Sequence, residues 1–216
     1  MRFRNRDHAA TLLAGRLTGH REAHPVVLGL PRGGVPMAAR IAAALGADLD
    51  VVLVRKLRAP LQPELAIGAV DERGELVREP YLSQIADEDY VRAEVRTQQE
   101  ILRTRRALYT KARPPVPLAG RVVILVDDGL ATGASMLSAI RAVRAQGPRR
   151  VVVAVGVAPP DTVAAVRAEA DEVVCLHAPY GFAAVGEFYD DFSEVTDDMV
   201  VAALGQSTTR PEETHP

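Results

Sequence analysis

The sequence predicts an α/β fold, a mostly parallel twisted sheet flanked by helices, and three observations carry that reading. Short, continuous Val-rich segments (Val26–Leu30, Val122–Val126, Val151–Val157, Val173–Leu176) alternate with stretches of helical spacing. A strand covered on both faces has no solvent side, so it reads as an unbroken apolar run, as the inner strands of parallel sheets do. Two of these runs end in unusual turns, Pro31–Gly34 and Asp127–Ser135. Both fall at the carboxyl edge of the strands, where open parallel sheets bind ligands. At 216 residues the chain suits one domain. That domain is expected over 1–204, with 205–216 as a disordered tail because it has no apolar pattern.

The elements follow in order. His8–Leu17 has helical spacing through Ala9, Leu12, Leu13 and Leu17, with Asp7 as N-cap. Val26–Leu30 is a strand that breaks at Pro31-Arg32-Gly33-Gly34, and a helix over Pro36–Leu45 stops at Gly46. Val51–Val54 is the next strand, and Ile67–Val70 another, leading into a turn at Glu72–Glu75. Asp87–Tyr109 reads as one long helix within an insertion near 80–113, closed off by Pro114, Pro115 and Pro117. Its apolar stripe is Val91, Val95, Leu102 and Tyr109, and its other faces carry Arg92, Arg96, Arg103 and Arg106, the pattern of an amphipathic surface helix. After the strand Val122–Val126 come the helix Met136–Gln146, the strand Val151–Val157, the helix Asp161–Ala168 and the strand Val173–Leu176.

Composition narrows the function classes. Lys and Arg number 26 against 28 Asp and Glu, a net charge of −2, so nothing in the total demands nucleic acid or a membrane surface. The single cysteine, Cys175, has no internal disulfide partner, and its neighbours Val173, Val174 and Leu176 predict a buried strand thiol in a reduced, cytoplasmic setting. The charged N-terminus lacks an apolar signal core, and no apolar run approaches the roughly 18 residues of a membrane span. No His/Cys cluster suggests zinc.

The segment Val122–Ser135 carries the most chemistry. A β-branched run ends in Asp127-Asp128 and continues through Gly129-Leu130-Ala131-Thr132-Gly133-Ala134-Ser135 into a helix. Carboxylates accept hydrogen bonds from vicinal hydroxyls, while backbone N–H groups and a helix N-terminus hold phosphate, so the pattern suits a phosphorylated sugar. The dinucleotide pattern Gly-x-Gly-x-x-Gly and the P-loop pattern Gly-x-x-x-x-Gly-Lys-[Ser/Thr] are both absent. In Pro31–Gly34 the paired glycines let backbone approach an anion closely, and Arg32 offers a fork of donors suited to phosphate oxygens. Val54-Arg55-Lys56-Leu57-Arg58 sets three cations in four positions at a strand end. Glu64 stands nearby, as an acid that orients Lys56 or touches the nucleophile, or as a helix-capping or surface acid.

These residues resemble the type I phosphoribosyltransferases, whose signature is an apolar strand, Asp-Asp, two or three variable residues, Thr-Gly, one residue, then Thr or Ser. The resemblance implies a Rossmann-like core with a small variable hood. It implies that Asp127 and Asp128 hold the ribose hydroxyls of 5-phosphoribosyl-1-pyrophosphate (PRPP) and, directly or through water, Mg²⁺. Gly129, Leu130, Ala131, Thr132, Gly133, Ala134 and Ser135 would wrap its 5-phosphate, and Arg32, Gly33, Gly34, Arg55 and Lys56 would hold the pyrophosphate. The catalytic set is then Asp127, Asp128 and Lys56. The family's acceptor hood corresponds best to 177–195, where five aromatics cluster; Tyr180 and Phe182, flanked by glycine, are the expected stackers on a nitrogen base. His177 is expected to be a hydrogen-bonded structural residue. The implied activity is phosphoribosyl transfer to a purine, pyrimidine or related heterocycle, with a homodimer compatible and no membrane or nucleic-acid partner. The alternative is a regulator of nucleotide metabolism that senses PRPP without turning it over.

Overall fold

The structure, a computed structural model, describes residues 1–62, 65–79, 81–111 and 115–206. Glu64, Pro114 and residues 207–216 lie outside the described residues. The centre is a five-stranded, wholly parallel sheet in the order β2-β1-β6-β7-β8. Its strands are β1 (Val26–Gly29), β2 (Asp48–Val51), β6 (Val122–Gly129), β7 (Arg150–Val157) and β8 (Glu172–His177). Successive side chains point to opposite faces and fill two separate cores. Val27 and Ile124 pack with Ala9, Leu13, Val35 and Ile41 on one side. Val26, Leu28, Val123 and Leu125 pack with Met136, Ile140 and Val163 on the other. That two-sided burial is the reason the strands read as continuous apolar runs.

The second sheet is antiparallel, β3 (Val54–Arg58), β4 (Ala66–Asp71) and β5 (Leu76–Arg78). It corrects the expected strand Val51–Val54: Val51 closes β2, Val54 opens β3, and Val52-Leu53 carry the chain from one sheet to the other. The strand begins earlier than its apolar run because Asp50, though only 4% exposed, is fully used. Its carboxylate accepts from the N–H groups of Val51 and Val116 and from Arg106. β4 reaches β5 through the expected turn, with Gly74 at φ 91°.

Helix boundaries shift modestly. α1 spans Arg6–Arg16, and its cap is Asn5 rather than Asp7: the Asn5 side-chain oxygen accepts from His8 N–H at 2.9 Å, while Asp7 sits in the first turn. α2 runs Gly34–Leu45 and ends at Gly46 with φ 63°. A short α3 (Leu82–Ile85) precedes α4 (Glu88–Thr110), capped by Asp87. Arg106 of α4 is not the solvated face residue that its spacing predicts. It is drawn into the core side by Asp50 at 2.9 Å and Glu72 at 2.6 Å. α5 is Ala134–Arg144 and α6 Pro160–Arg167. A further helix, α7 (Asp197–Gln206), buries Val200 and Leu204 and packs on α2 and α4. The chain therefore remains helical through Gly205 and Gln206, past the point where the apolar pattern places the start of the tail. Cys175 is half-buried, with its thiol pushed up by burial. Among the described residues no helix is long and apolar enough to cross a membrane.

Candidate functional site at the carboxyl edge of the sheet

The two glycine- and acid-bearing turns meet. Beyond β1, Leu30 N–H donates to Val126 carbonyl at 2.9 Å, which ties the start of the Pro31–Gly34 loop to the end of β6. The Pro31–Arg32 peptide bond is cis. The glycines are required by proximity. A Cβ on Gly34 would stand 2.3 Å from the Val126 carbonyl oxygen, and one on Gly33 would stand 2.1 Å from Asp128 Oδ2. At Gly34 the obstacle is backbone, so no side chain larger than hydrogen fits there, while at Gly33 the Asp128 carboxylate would have to move.

Asp127 and Asp128 end β6, both partly buried. The Asp127 carboxyl is held well above the usual range, first by burial and then by the negative charge of Asp128; the Asp128 N–H, which donates to Asp127 Oδ1 at 2.9 Å, pulls it back. Burial also raises Asp128, against the pull of Arg6, whose Nε donates to Asp128 Oδ2 at 2.8 Å. The Arg6 guanidinium lies 3.8 Å from the centre of the Phe192 ring and donates to the Ser193 carbonyl at 2.7 Å. Tyr189, 2% exposed, donates its hydroxyl to the Asp128 carbonyl at 2.7 Å. Burial, followed by the charge of Asp128, drives that hydroxyl far above its ordinary value. Arg6 bonds Asp128 alone, and Asp127 has the Asp128 N–H as its hydrogen-bond donor, so the pair sits in a partly desolvated place with one guanidinium beside it.

The turn after the acids is pinned at its outer end. Leu130 N–H donates to Val157 carbonyl, and the Thr162 hydroxyl donates to Ala131 carbonyl at 2.9 Å. Gly133 takes φ 78° before α5, whose first-turn N–H groups have no acceptor within the helix. Ala131, Thr132, Ala134 and Ser135 are exposed at this mouth.

The other expected site residues are more dispersed. Arg32 is bridged to Glu194 at 2.5 Å on the open side of the loop. Arg55 and Lys56 sit on β3 in the second sheet. Arg55 points to α4, where its Nε donates to Gln98 at 2.5 Å. Lys56 is exposed and, by strand alternation, shares the face of Val54, which packs toward α5. Tyr180 is 97% exposed, and Phe182 stacks on Phe188 with centroids 5.5 Å apart. His177 meets Phe188 edge-on and, as expected, is hydrogen-bonded, to the Met1 amine at 3.1 Å. Beside the acid pair stand Tyr189 and Phe192, 5.0 Å apart, and Tyr189 also packs against Phe3. Arg6, Tyr189 and Glu194 are not singled out by the sequence as site residues. Only the aromatic cluster gives a signal for any of them.

A family model described as the phosphoribosyl transferase domain matches residues 5–191. The chain belongs to this family. Two Mycobacterium tuberculosis proteins, from strains CDC 1551 / Oshkosh and H37Rv, are each 44% identical over 211 residues and are named provisionally as phosphoribosyl transferases. The match covers 95% of this chain and 47% of each relative, so the chain spans about half their length. The crystal structure of TT1426 from Thermus thermophilus superimposes with a TM-score of 0.88 at 53% identity, covering 97% of this chain and 100% of that one.

Proposed function

We propose that this phosphoribosyl transferase domain moves the 5-phosphoribosyl group from PRPP to a ring nitrogen of a purine, pyrimidine or related heterocycle, with Mg²⁺ as cofactor. The observation that supports the reading is the close approach of Gly33 to the Asp128 carboxylate, which sets the paired-glycine loop beside the acid pair. In the reaction the C1–N bond forms as the C1–O bond breaks, pyrophosphate leaves with the bonding electron pair, and the ring nitrogen gives up its proton to water or to the departing pyrophosphate. Charge builds on the ribose ring as an oxocarbenium ion, as in glycoside chemistry. Such a step depends on an oriented sugar and a neutralised leaving group more than on a strong protein nucleophile.

The residues divide the work accordingly. Asp127 and Asp128 accept from the ribose hydroxyls, and Gly129–Ser135 with the α5 N-terminus take the 5-phosphate. Arg32, the Gly33-Gly34 backbone, Arg55 and Lys56 take the pyrophosphate. Phe182 and Tyr180 are the acceptor-side rings. The acid pair also fits Mg²⁺. Two adjacent hard oxygen donors, only one of them bonded to a guanidinium, suit a cation, and Mg²⁺ usually takes only one or two carboxylates and fills the rest with phosphate and water. Bound by Asp127 and Asp128, directly or through water, it would supply charge neutralisation on the diphosphate. A cytoplasmic setting accords with the lone thiol of Cys175.

Incubation with PRPP, Mg²⁺ and a panel of bases, with pyrophosphate release as readout, tests the reading. Release with at least one base is expected. PRPP binding by calorimetry without release for any base would point to a sensor instead. Unchanged PRPP affinity in Asp127→Asn and Asp128→Asn would remove the site assignment.

A further inference from the structure

Arg105 has no role so far, yet it stands where the pieces of the site converge. A small cavity of about 70 Å³ is lined by Leu30 and Pro31 of the first loop, Val54 of β3, Leu102 and Arg105 of α4, and Ser135 of α5. Leu102, Arg105 and Tyr109 are three and four residues apart and so share one face of the helix. Leu102 and Tyr109 are buried on that face, which directs Arg105 inward. Among the described residues no carboxylate pairs with it.

The residues that precede two other guanidinia, Pro31 before Arg32 and Val54 before Arg55, line the same cavity. The charge of Arg105 lowers the basicity of Arg55, after burial and ahead of Arg58, with Glu94 as a weaker opposing influence. Arg105 and Arg32 both act on the Tyr109 hydroxyl, which burial and the hydrogen bond to Asp197 push up to about 12. Arg105 therefore faces the two chain segments that carry Arg32 and Arg55. Among the described residues only Arg32 of the three is bridged to an acid, the exposed Glu194. Three like charges, two of them without a salt bridge, raise the energy of the partly desolvated apo site, and a polyanion would relieve it. The neighbouring residue Arg106, clamped by Asp50 and Glu72, fixes the helix at this turn and so holds Arg105 in position.

We propose that Arg105 binds the pyrophosphate group of the donor and of the product, as a preformed cationic arm supplied by the rigid helix α4. This rests on the proposed function and adds a residue to it. The leaving group would be met from two sides, by the Arg32 loop and by α4, with no loop closure needed to bring the second cation in.

The test is calorimetric titration of wild type, Arg105→Gln, Arg105→Lys and, as a surface control, Arg103→Gln with Mg²⁺-pyrophosphate and, separately, with ribose 5-phosphate. A charge-assisted contact to phosphate corresponds to roughly tenfold to a hundredfold in affinity. Arg105→Gln should weaken pyrophosphate by about that factor and leave ribose 5-phosphate unchanged. Arg105→Lys should recover part of the loss, and Arg103→Gln should match wild type. A matching circular dichroism spectrum and melting temperature show that Arg105→Gln is folded. If wild type binds pyrophosphate and folded Arg105→Gln binds it equally well, the role of Arg105 falls and the proposed function stands. If wild type binds neither pyrophosphate nor PRPP, the proposed function itself falls, and this assignment with it.

Discussion

Replacing Arg6 by Gln removes the one positive charge seen to touch the acid pair among the described residues, and the structure sets the size of the effect. The Arg6 and Asp128 side chains are 14% and 13% exposed, so water screens their pairing poorly. The substitution loses a charge-assisted hydrogen bond, about 1.5–3 kcal/mol. It also loses a cation–π contact with Phe192, about 0.5–2 kcal/mol. Breaking a fully buried pair costs roughly 3–5 kcal/mol because the partner charge is stranded. For this partly buried pair we expect about 3 kcal/mol of lost stability at pH 7, measured by urea unfolding at constant m-value. The pH dependence has a definite sign. Asp128 already titrates above the unfolded aspartate value because of burial, and Arg6 opposes that rise. Without Arg6 its folded pKa rises further, so between about 3.9 and that raised value the native state binds more protons than the unfolded state. Stability of Arg6→Gln relative to wild type then falls as pH rises from the wild-type folded value toward the higher variant value, so the deficit should shrink when the experiment is repeated near pH ~4.5. Adding Asp128→Asn removes the stranded charge, so the double variant should be less destabilised than the sum of the singles by about 1.5–3 kcal/mol. Additive single effects with the same deficit at both pH values would refute the account.

Glu194→Gln opens the bridge to Arg32, whose partners are 38% and 73% exposed. Unfolding stability should move by less than about 1 kcal/mol, while titration with pyrophosphate should show tighter binding, up to severalfold. Gly34→Ala puts a methyl group 2.3 Å from the Val126 carbonyl oxygen, where only backbone can yield. A loss of about 1–3 kcal/mol or more is expected by thermal unfolding, together with weakened PRPP binding, and a neutral result would contradict the packing of the loop on β6. Arg106→Met strands Asp50, which is 4% exposed, and Glu72. It should cost about 3–5 kcal/mol. Hydrogen exchange should locate the loosening at α4, and unchanged protection there would argue against the clamp.

Local patterns carried much of the architecture. The parallel sheet was legible because Val26–Gly29, Val122–Val126 and Val151–Val157 are buried on both faces, and two-sided burial leaves its mark in each strand's own residues. The helix end at Gly46 was legible for the same reason, since it satisfies backbone groups within a turn. Asp127-Asp128 and the turn to Ser135 form one continuous segment whose spacing is set by the strand end, so the acid pair could be recognised before any fold was known. Where local pattern competed with distant partners it misled. Asp50 looks like a strand breaker until Arg106 and the Val116 N–H satisfy it, and Arg106 looks solvated until Asp50 and Glu72 receive it.

What stands around the acid pair was decided by the tertiary structure alone. Arg6 is 122 residues from Asp128, Tyr189 is 61, and the bridge from Arg32 to Glu194 spans 162. Contacts of that range leave no periodicity, because a single hydrogen bond between remote segments constrains only two side chains. The strand end states which chemical groups are available; the closing of the N-terminal helix and the 189–194 segment over it determines their charge balance and their neighbours.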